Sequence, residues 1–291
     1  MSERRISRRT LLLGGAGVVA AGAISVVGIE AGAIPGRTTL HTVFGLNGEP
    51  GKVPDVTVGP AVTGELVSQA RAGATCGWTI SYPPGAAPGD ALPVVVVLHG
   101  HGSDNTAAFK KLKLNRFQAD AGSPFAIASV DGGDGYWHAR AAGGDSGAMV
   151  VDEFLPLLAQ YRLDIGRIGL LGWSMGGYGA LLLGSQLGPD RVAAIVAESP
   201  AMWTDGAHSA SGAFDDAEDY AAHDLAGRQN ELDGIPILID CGIGDGFYPV
   251  VKDYVHGFAT PPEGGFEPGG HDYDYWRRVA PAQLAFMAQH L

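Results

Sequence analysis

The stretch LLGWSMGGYGALLLG, Leu170 to Gly184, decides how the rest of this 291-residue chain is read. An apolar strand-like run, RIGLLGW, leads into it, and the apolar helix-like run that completes it is stopped by Gly188-Pro189. At the junction stands Gly172-Trp173-Ser174-Met175-Gly176, a G-x-S-x-G pattern. A sharp strand-to-helix turn needs glycine on both sides of such a serine, because flanking side chains would strike the neighbouring strand and helix. The turn exposes the serine beside the free N–H groups and positive dipole end of the helix. Gly177 and Gly179 would let that helix lie close to the sheet. The alternative is a glycine-rich turn whose serine is incidental. The apolar strand before it and the apolar helix after it favour the exposed nucleophile.

Outward from this point, strand and helix signals alternate. LPVVVVLHG (Leu92 to Gly100), FAIASVDGG, RVAAIVAESP and GIPILIDCG are continuous apolar runs, the mark of strands buried on both faces. CGWTISYPP alternates and ends in prolines, as an early sheet strand would. GAMVVDEFLPLLAQYR, YPVVKDYVHGF and DYDYWRRVAPAQLAFMAQHL read as helices, with Pro156 marking a kink or break in the first. The alternation predicts an α/β domain over residues 71–291, with a mostly parallel central sheet and helices on both faces. In such sheets ligands bind at the carboxyl ends of the strands. The acidic, mixed stretch near residues 203–234 reads as a small insertion over that edge.

A serine nucleophile needs a base oriented by a carboxylate. Downstream, Asp245 sits in the loop behind the strand ILIDCG; Asp240 is the rival, but it lies inside the strand and is read as structural. His271 follows a Pro-Gly-Gly loop just before the last helix, and is the expected base. His208, His223, His256 and His290 fall in the insertion or on helices and are read as surface or packing residues. The oxyanion of a tetrahedral intermediate needs preorganised donors. The N–H groups of Met175 and of His101, in the His99-Gly100-His101-Gly102 loop, are the candidates, with His99 structural. Tyr136, Trp137, Trp203, Phe247 and Tyr248 stand near predicted strand ends, where they would line a pocket or simply pack; Trp137, Trp203 and Phe247 are the substrate-contact candidates.

Taken in order, LLGWSMGGYGALLLG, IDCGIGDGF and PGGHDYDYW resemble the esterase D branch of the α/β-hydrolase superfamily, which also holds the antigen 85 mycolyltransferases of mycobacteria. The resemblance runs from about Gly77 to the C-terminus. It implies an α/β-hydrolase fold, Ser174 as nucleophile, His271 as base, Asp245 as acid, and Met175 with His101 as oxyanion donors. It also implies a small-molecule or lipid ester substrate, hydrolysed or passed to another alcohol. The chain departs from the mycolyltransferases, which carry an Asp-Gly-Leu strand end and a glutamate acid where His99-Gly100-His101 and Asp245 stand here. It departs from the cytosolic S-formylglutathione hydrolases in its N-terminus.

That N-terminus has a basic start and then no charge from Thr10 to Ile29. SRRTLLL, with Arg8 and Arg9, resembles a twin-arginine export signal. The 20-residue uncharged run is also long enough to span a bilayer, so residues 1–33 read as an export signal or a membrane anchor. The expected location is outside the cytoplasmic membrane, with the twin-arginine export machinery as partner. Residues 34–70, rich in Gly, Pro and Thr, read as a linker that partly wraps the domain. The chain is 46% hydrophobic and carries a net charge of −12. Without residues 1–33, 15 basic and 29 acidic residues leave −14. This balance argues against nucleic-acid binding and against docking on anionic lipid. Cys76 and Cys241 fall in separate predicted strands and form no disulfide framework. They make no C-x-x-C, and DGGDG lacks a full calcium ligand set, so no metal and no cofactor are expected.

Overall fold

The computed structural model describes residues 36–291, so the export or anchor segment read over residues 1–33 lies outside the described residues. Among the described residues no helix is long and apolar enough to cross a membrane.

The apolar runs form the middle of an eight-stranded sheet. The strands are β1 (Ala61–Ser68), β2 (Ala74–Ser81), β3 (Leu92–Leu98), β4 (Ala126–Val130), β5 (Leu163–Trp173), β6 (Val192–Glu198), β7 (Ile237–Gly242) and β8 (Glu263–Glu267). Their spatial order is β1-β2-β4-β3-β5-β6-β7-β8. Only β2 runs against the rest, pairing antiparallel with both β1 and β4. Pairs from β4 to β8 are all parallel. This is the α/β-hydrolase architecture.

Strand β3 shows why a run of valines belongs here. Val94 to Leu98 are fully buried, with Val94, Val96 and Leu98 facing one core and Val95 and Val97 the other. The first core is closed by the helix Met175–Leu187 and by the segment around Met149, Phe154 and Leu158. The second is closed by Leu114–Ala121 and the C-terminal helix Tyr273–His290. Each fully buried valine contributes about 1.5–3 kcal/mol, so β3 is a principal anchor of the domain. The expected irregularity before Pro156 is a π-helical turn, Met149–Phe154, after which the proline sits in the first turn of the helix Leu155–Gln160. The helix runs on without a break from Ser146 to Gln160, and the π-helical turn is the irregularity that stands where Pro156 withholds an N–H.

Residues 61–68, within the segment read as a wrapping linker, form the edge strand β1. Upstream, the helix Arg37–Val43 lies beside the loop after β7, where Arg37 Nη1 donates to the Ile243 carbonyl at 3.0 Å. Cys76 and Cys241 are free and buried, on β2 and β7. Four strands lie between them, and at about 4.8 Å per strand step no disulfide could join them. Residues 203–234 leave the end of β6 and return to β7 through the helix Ala217–His223 and two short 3-10 turns.

Candidate active site

Ser174 ends β5 and caps the helix Met175–Leu187. Its backbone has φ 55° and ψ −121°, a conformation that costs a side-chain-bearing residue about 1–3 kcal/mol. The surroundings hold it there: its N–H donates to the Glu198 carbonyl at 2.9 Å, and its carbonyl accepts from the Ala201 N–H at 3.0 Å. A Cβ on Gly172 would fall onto the Gly176 carbonyl, and one on Gly176 onto the carbonyl of Leu98 at the end of β3. The two flanking glycines are therefore steric requirements of the turn.

His271 lies in the turn between β8 and the C-terminal helix. Its Nε2 stands 2.8 Å from Ser174 Oγ and its Nδ1 2.7 Å from Asp245 Oδ2. Asp245 is fully buried, and its other oxygen accepts the Phe247 N–H at 2.9 Å. The imidazole is fixed edge-on between Trp276 and Phe247, with ring centres 4.9 and 5.2 Å away. Trp276 is itself held by an N–H bond to Ser199 Oγ at 3.1 Å. Side chains distant in sequence thus form one continuous hydrogen-bonded chain along the carboxyl edge of the sheet. With Nδ1–H donated to the carboxylate, Nε2 presents a lone pair to the serine hydroxyl.

Asp240, the rival acid, takes no part. Its carboxylate accepts from Gln283 Nε2 at 3.0 Å and from the Gly265 N–H at 3.1 Å, behind the site. Gln283 Nε2 also reaches Glu198 Oε1 at 3.0 Å. Burial pushes the Asp240 carboxyl up to about 6 and that of Glu198 well above the usual carboxylate range. Burial likewise raises the Cys241 thiol, leaving it protonated and inert.

The loop after β3 passes directly over the serine, so that a Cβ on Gly100 would lie 3.3 Å from Ser174 Cβ. His101 follows in this loop, with its side chain half exposed and turned toward Asp134 at 4.0 Å. Met175, fully buried, opens the helix, where its N–H has no intrahelical acceptor. His99 is buried, accepts the Gly132 N–H at 3.0 Å and faces its neighbour's carbonyl. It braces the loop and does not reach the cleft.

Beside His271 opens a cavity of about 520 Å³, lined by Thr38, Met202, Trp203, Phe247 and Val250 among others. The residues 71–287 match the family model Esterase, described as "Putative esterase".

This chain belongs to that esterase family.

None of the curated proteins matches the chain. Solved structures share the fold. A ferulic acid esterase superposes with a TM-score of 0.68 at 22% identity, covering 82% of this chain and all of its own. An S-formylglutathione hydrolase from Agrobacterium tumefaciens gives 0.64 at 19%, covering 82% and 98%. A fluorophosphonate-binding serine hydrolase of Staphylococcus aureus, substrate bound, gives 0.63 at 21%, covering 80% and 99%.

Among the expected pocket residues of the esterase, Trp203 and Phe247 line the cavity, with ring centres 5.5 Å apart. Trp137 is a correction. It is 1% exposed, and its indole lies against Gly179, where a Cβ would strike the ring. It fills the space between the helix Met175–Leu187 and β4, and so packs the core instead of meeting substrate. Tyr248 likewise turns away, against Phe266 of β8 at 5.2 Å. Two positioning residues had no signal in the sequence reading. Asp134 accepts the Gly102 N–H at 2.6 Å and fixes the loop over Ser174. Arg140 grips the insertion through the Gly212 carbonyl at 2.7 Å and Asp215 Oδ1 at 2.9 Å.

Proposed function

We propose that this esterase is an exported serine hydrolase that cleaves carboxylic esters through an acyl-enzyme. The reading rests on one observation: the unbroken run Ser174 Oγ–His271–Asp245, with contacts of 2.8 and 2.7 Å. His271 Nε2 takes the hydroxyl proton as Ser174 Oγ bonds to the ester carbonyl carbon. The tetrahedral oxyanion is held by the N–H groups of Met175 and His101, donors whose dipoles cost no reorganisation during the reaction. Collapse breaks the bond to the alcohol oxygen, which leaves with the proton from His271. Water then repeats the sequence and releases the acid. Buried Asp245 keeps the imidazole in the productive tautomer and balances its transient charge. The apolar walls of Trp203, Phe247 and Met202 suit an acyl group of small-molecule or lipid origin.

Ser174→Ala should lower kcat toward p-nitrophenyl esters by on the order of 10⁶ and abolish fluorophosphonate labelling. A mutant with wild-type turnover sinks the reading.

The likeness of the motifs to the mycolyltransferases supports a second reading, in which a sugar or lipid alcohol replaces water as acceptor. Product analysis with excess sugar separates the two, since hydrolysis alone under every acceptor tried removes the transfer reading. Export through the twin-arginine machinery is proposed from SRRTLLL and the uncharged run behind it. Lysines in place of Arg8 and Arg9 should hold the chain in the cytoplasm, and undiminished export would rule that route out.

A further inference from the structure

Residues 203–234 contribute no strand to the sheet, so local contacts must hold this acidic segment to the body. One such contact has the chemistry of a metal site. Asp219 and His223 stand four apart on the helix Ala217–His223, and therefore on one face of it. His138 meets them from the loop after β4, buried to 3% exposure. One ligand atom from each of the three lies within 4.8 Å of the other two. His223 Nδ1 is 2.9 Å and His138 Nδ1 3.7 Å from the same oxygen, Asp219 Oδ1. In a tetrahedral zinc site with bonds of about 2.0–2.1 Å, neighbouring donors stand about 3.3 Å apart. The two distances bracket that value.

The outer contacts are those of a supported ligand set. His138 Nε2 faces the Ala213 carbonyl at 3.2 Å and Nδ1 the Ala139 carbonyl at 2.9 Å, and in the tautomer protonated at Nε2 the lone pair that a metal needs lies on Nδ1. Asp219 Oδ2 accepts the Asp215 N–H at 2.8 Å, and Oδ1 is the oxygen turned to the two histidines. A cavity of about 330 Å³ reaches both histidines, and Asp145 and Asp152 in its wall would draw a dication inward.

We propose that His138, Asp219 and His223 bind a divalent transition metal of the zinc type, with water completing a four-coordinate site, and that the ion clips the insertion to the loop behind β4. Two imidazoles and one carboxylate select zinc or cobalt over calcium and magnesium, which take oxygen ligands. Without metal, His138 Nδ1 lies 2.9 Å from the Ala139 carbonyl and His223 Nδ1 2.9 Å from the Asp219 carbonyl. The site touches none of Ser174, Asp245 and His271 and stands whether or not they act as proposed.

The test uses the full chain, stripped with a chelator and titrated with Zn²⁺ and, separately, Co²⁺. One equivalent of zinc should bind and raise Tm, and cobalt should give the visible absorption of a four-coordinate ion. Asp219→Asn, nearly isosteric, and His223→Ala should each weaken zinc binding by about 100-fold or more and remove the rise in Tm. His208→Ala, at an exposed histidine 2.7 Å from Asp205, should change nothing. If His223→Ala fails to fold, Asp219→Asn alone decides. No saturable binding of either ion by the stripped chain, or undiminished binding in Asp219→Asn, overturns the proposal.

Discussion

The cleft has a floor and a roof built by different means. At the floor, Ser174 and Asp245 follow β5 and β7, strands buried on both faces, and His271 follows β8 in the turn before the C-terminal helix. Backbone hydrogen bonds and steric exclusion fix Ser174 in its strained geometry, and the Asp245 carboxylate with the Trp276 and Phe247 rings fixes His271. At the roof, residues 203–234 supply short helical turns held by side chains. Arg140 grips Asp215, Tyr220 Oη donates to the Trp203 carbonyl at 2.8 Å, and Tyr178 Oη donates to the His223 carbonyl at 2.8 Å. Phe214 packs edge-on against Trp203 and Tyr220. A floor of this kind fixes reacting atoms to fractions of an ångström. A roof of this kind can change its lining residues without disturbing the sheet. In the proposed reaction the floor would set the chemistry and the roof the choice of acyl group.

The sharpest way to break this division is at Asp245. Asparagine keeps the shape but offers an amide N–H to His271 Nδ1, which favours the wrong tautomer. Asp245→Asn should lower kcat about 10⁴-fold with little change in KM, read with a short-chain p-nitrophenyl ester. A loss under tenfold would mean that another group orients the imidazole.

The roof should answer differently. Trp203 bridges the two regions, its ring 5.5 Å from Phe247 and 5.6 Å from Tyr136. Trp203→Ala should lower kcat/KM about tenfold for bulky acyl esters, the equivalent of about 1.4 kcal/mol of lost contact, and less than about threefold for acetyl esters. Equal losses across chain lengths would place Trp203 with the floor.

The same division explains what the sequence could disclose. Strand β3 is legible because burial on both faces demands an apolar side chain at every position, and Val94 to Val97 supply it. The turn at Ser174 is legible because its glycines are required within five residues of chain. Strand β8, by contrast, is Glu-Gly-Gly-Phe-Glu, with one apolar side chain. It exists through backbone pairing with β7, and edge pairing leaves no hydrophobic pattern. Strand β1 is hidden for a related reason, since its inward positions are only half buried and Val67 points to solvent. Trp137 misleads because an aromatic residue at a strand end has the same local sequence whether it lines a pocket or fills a core; its fate depends on Gly179, 42 positions away. Asp134, Arg140 and the His138–Asp219–His223 cluster act across similar separations, where spacing carries no signal.

The smallest effect on activity is expected where the floor carries a second buried aspartate, five residues from the first. Asp240 and Asp245 are both buried, but only Asp245 is paired with an imidazole. Asp240 faces the neutral amide of Gln283, so burial dominates and raises it to about 6. An unfolded aspartate ionises near pH 4. Between about pH 4 and 6 the folded chain therefore holds a proton that the unfolded chain has released. Stability must fall as pH rises through that window, by on the order of 2–3 kcal/mol. Asp240→Asn cannot ionise and should flatten the decline in Tm from pH 4 to 7, leaving the part due to Glu198. It forfeits a hydrogen bond to Gln283 or Gly265, a loss that does not vary with pH, so the slope rather than the absolute Tm is the readout. Because His271 is held by Asp245, kcat should stay within about threefold of wild type, the size of effect that about 0.6 kcal/mol produces. An unchanged slope would mean that Asp240 is ionised in the folded protein and that a cation near Gln283 compensates it.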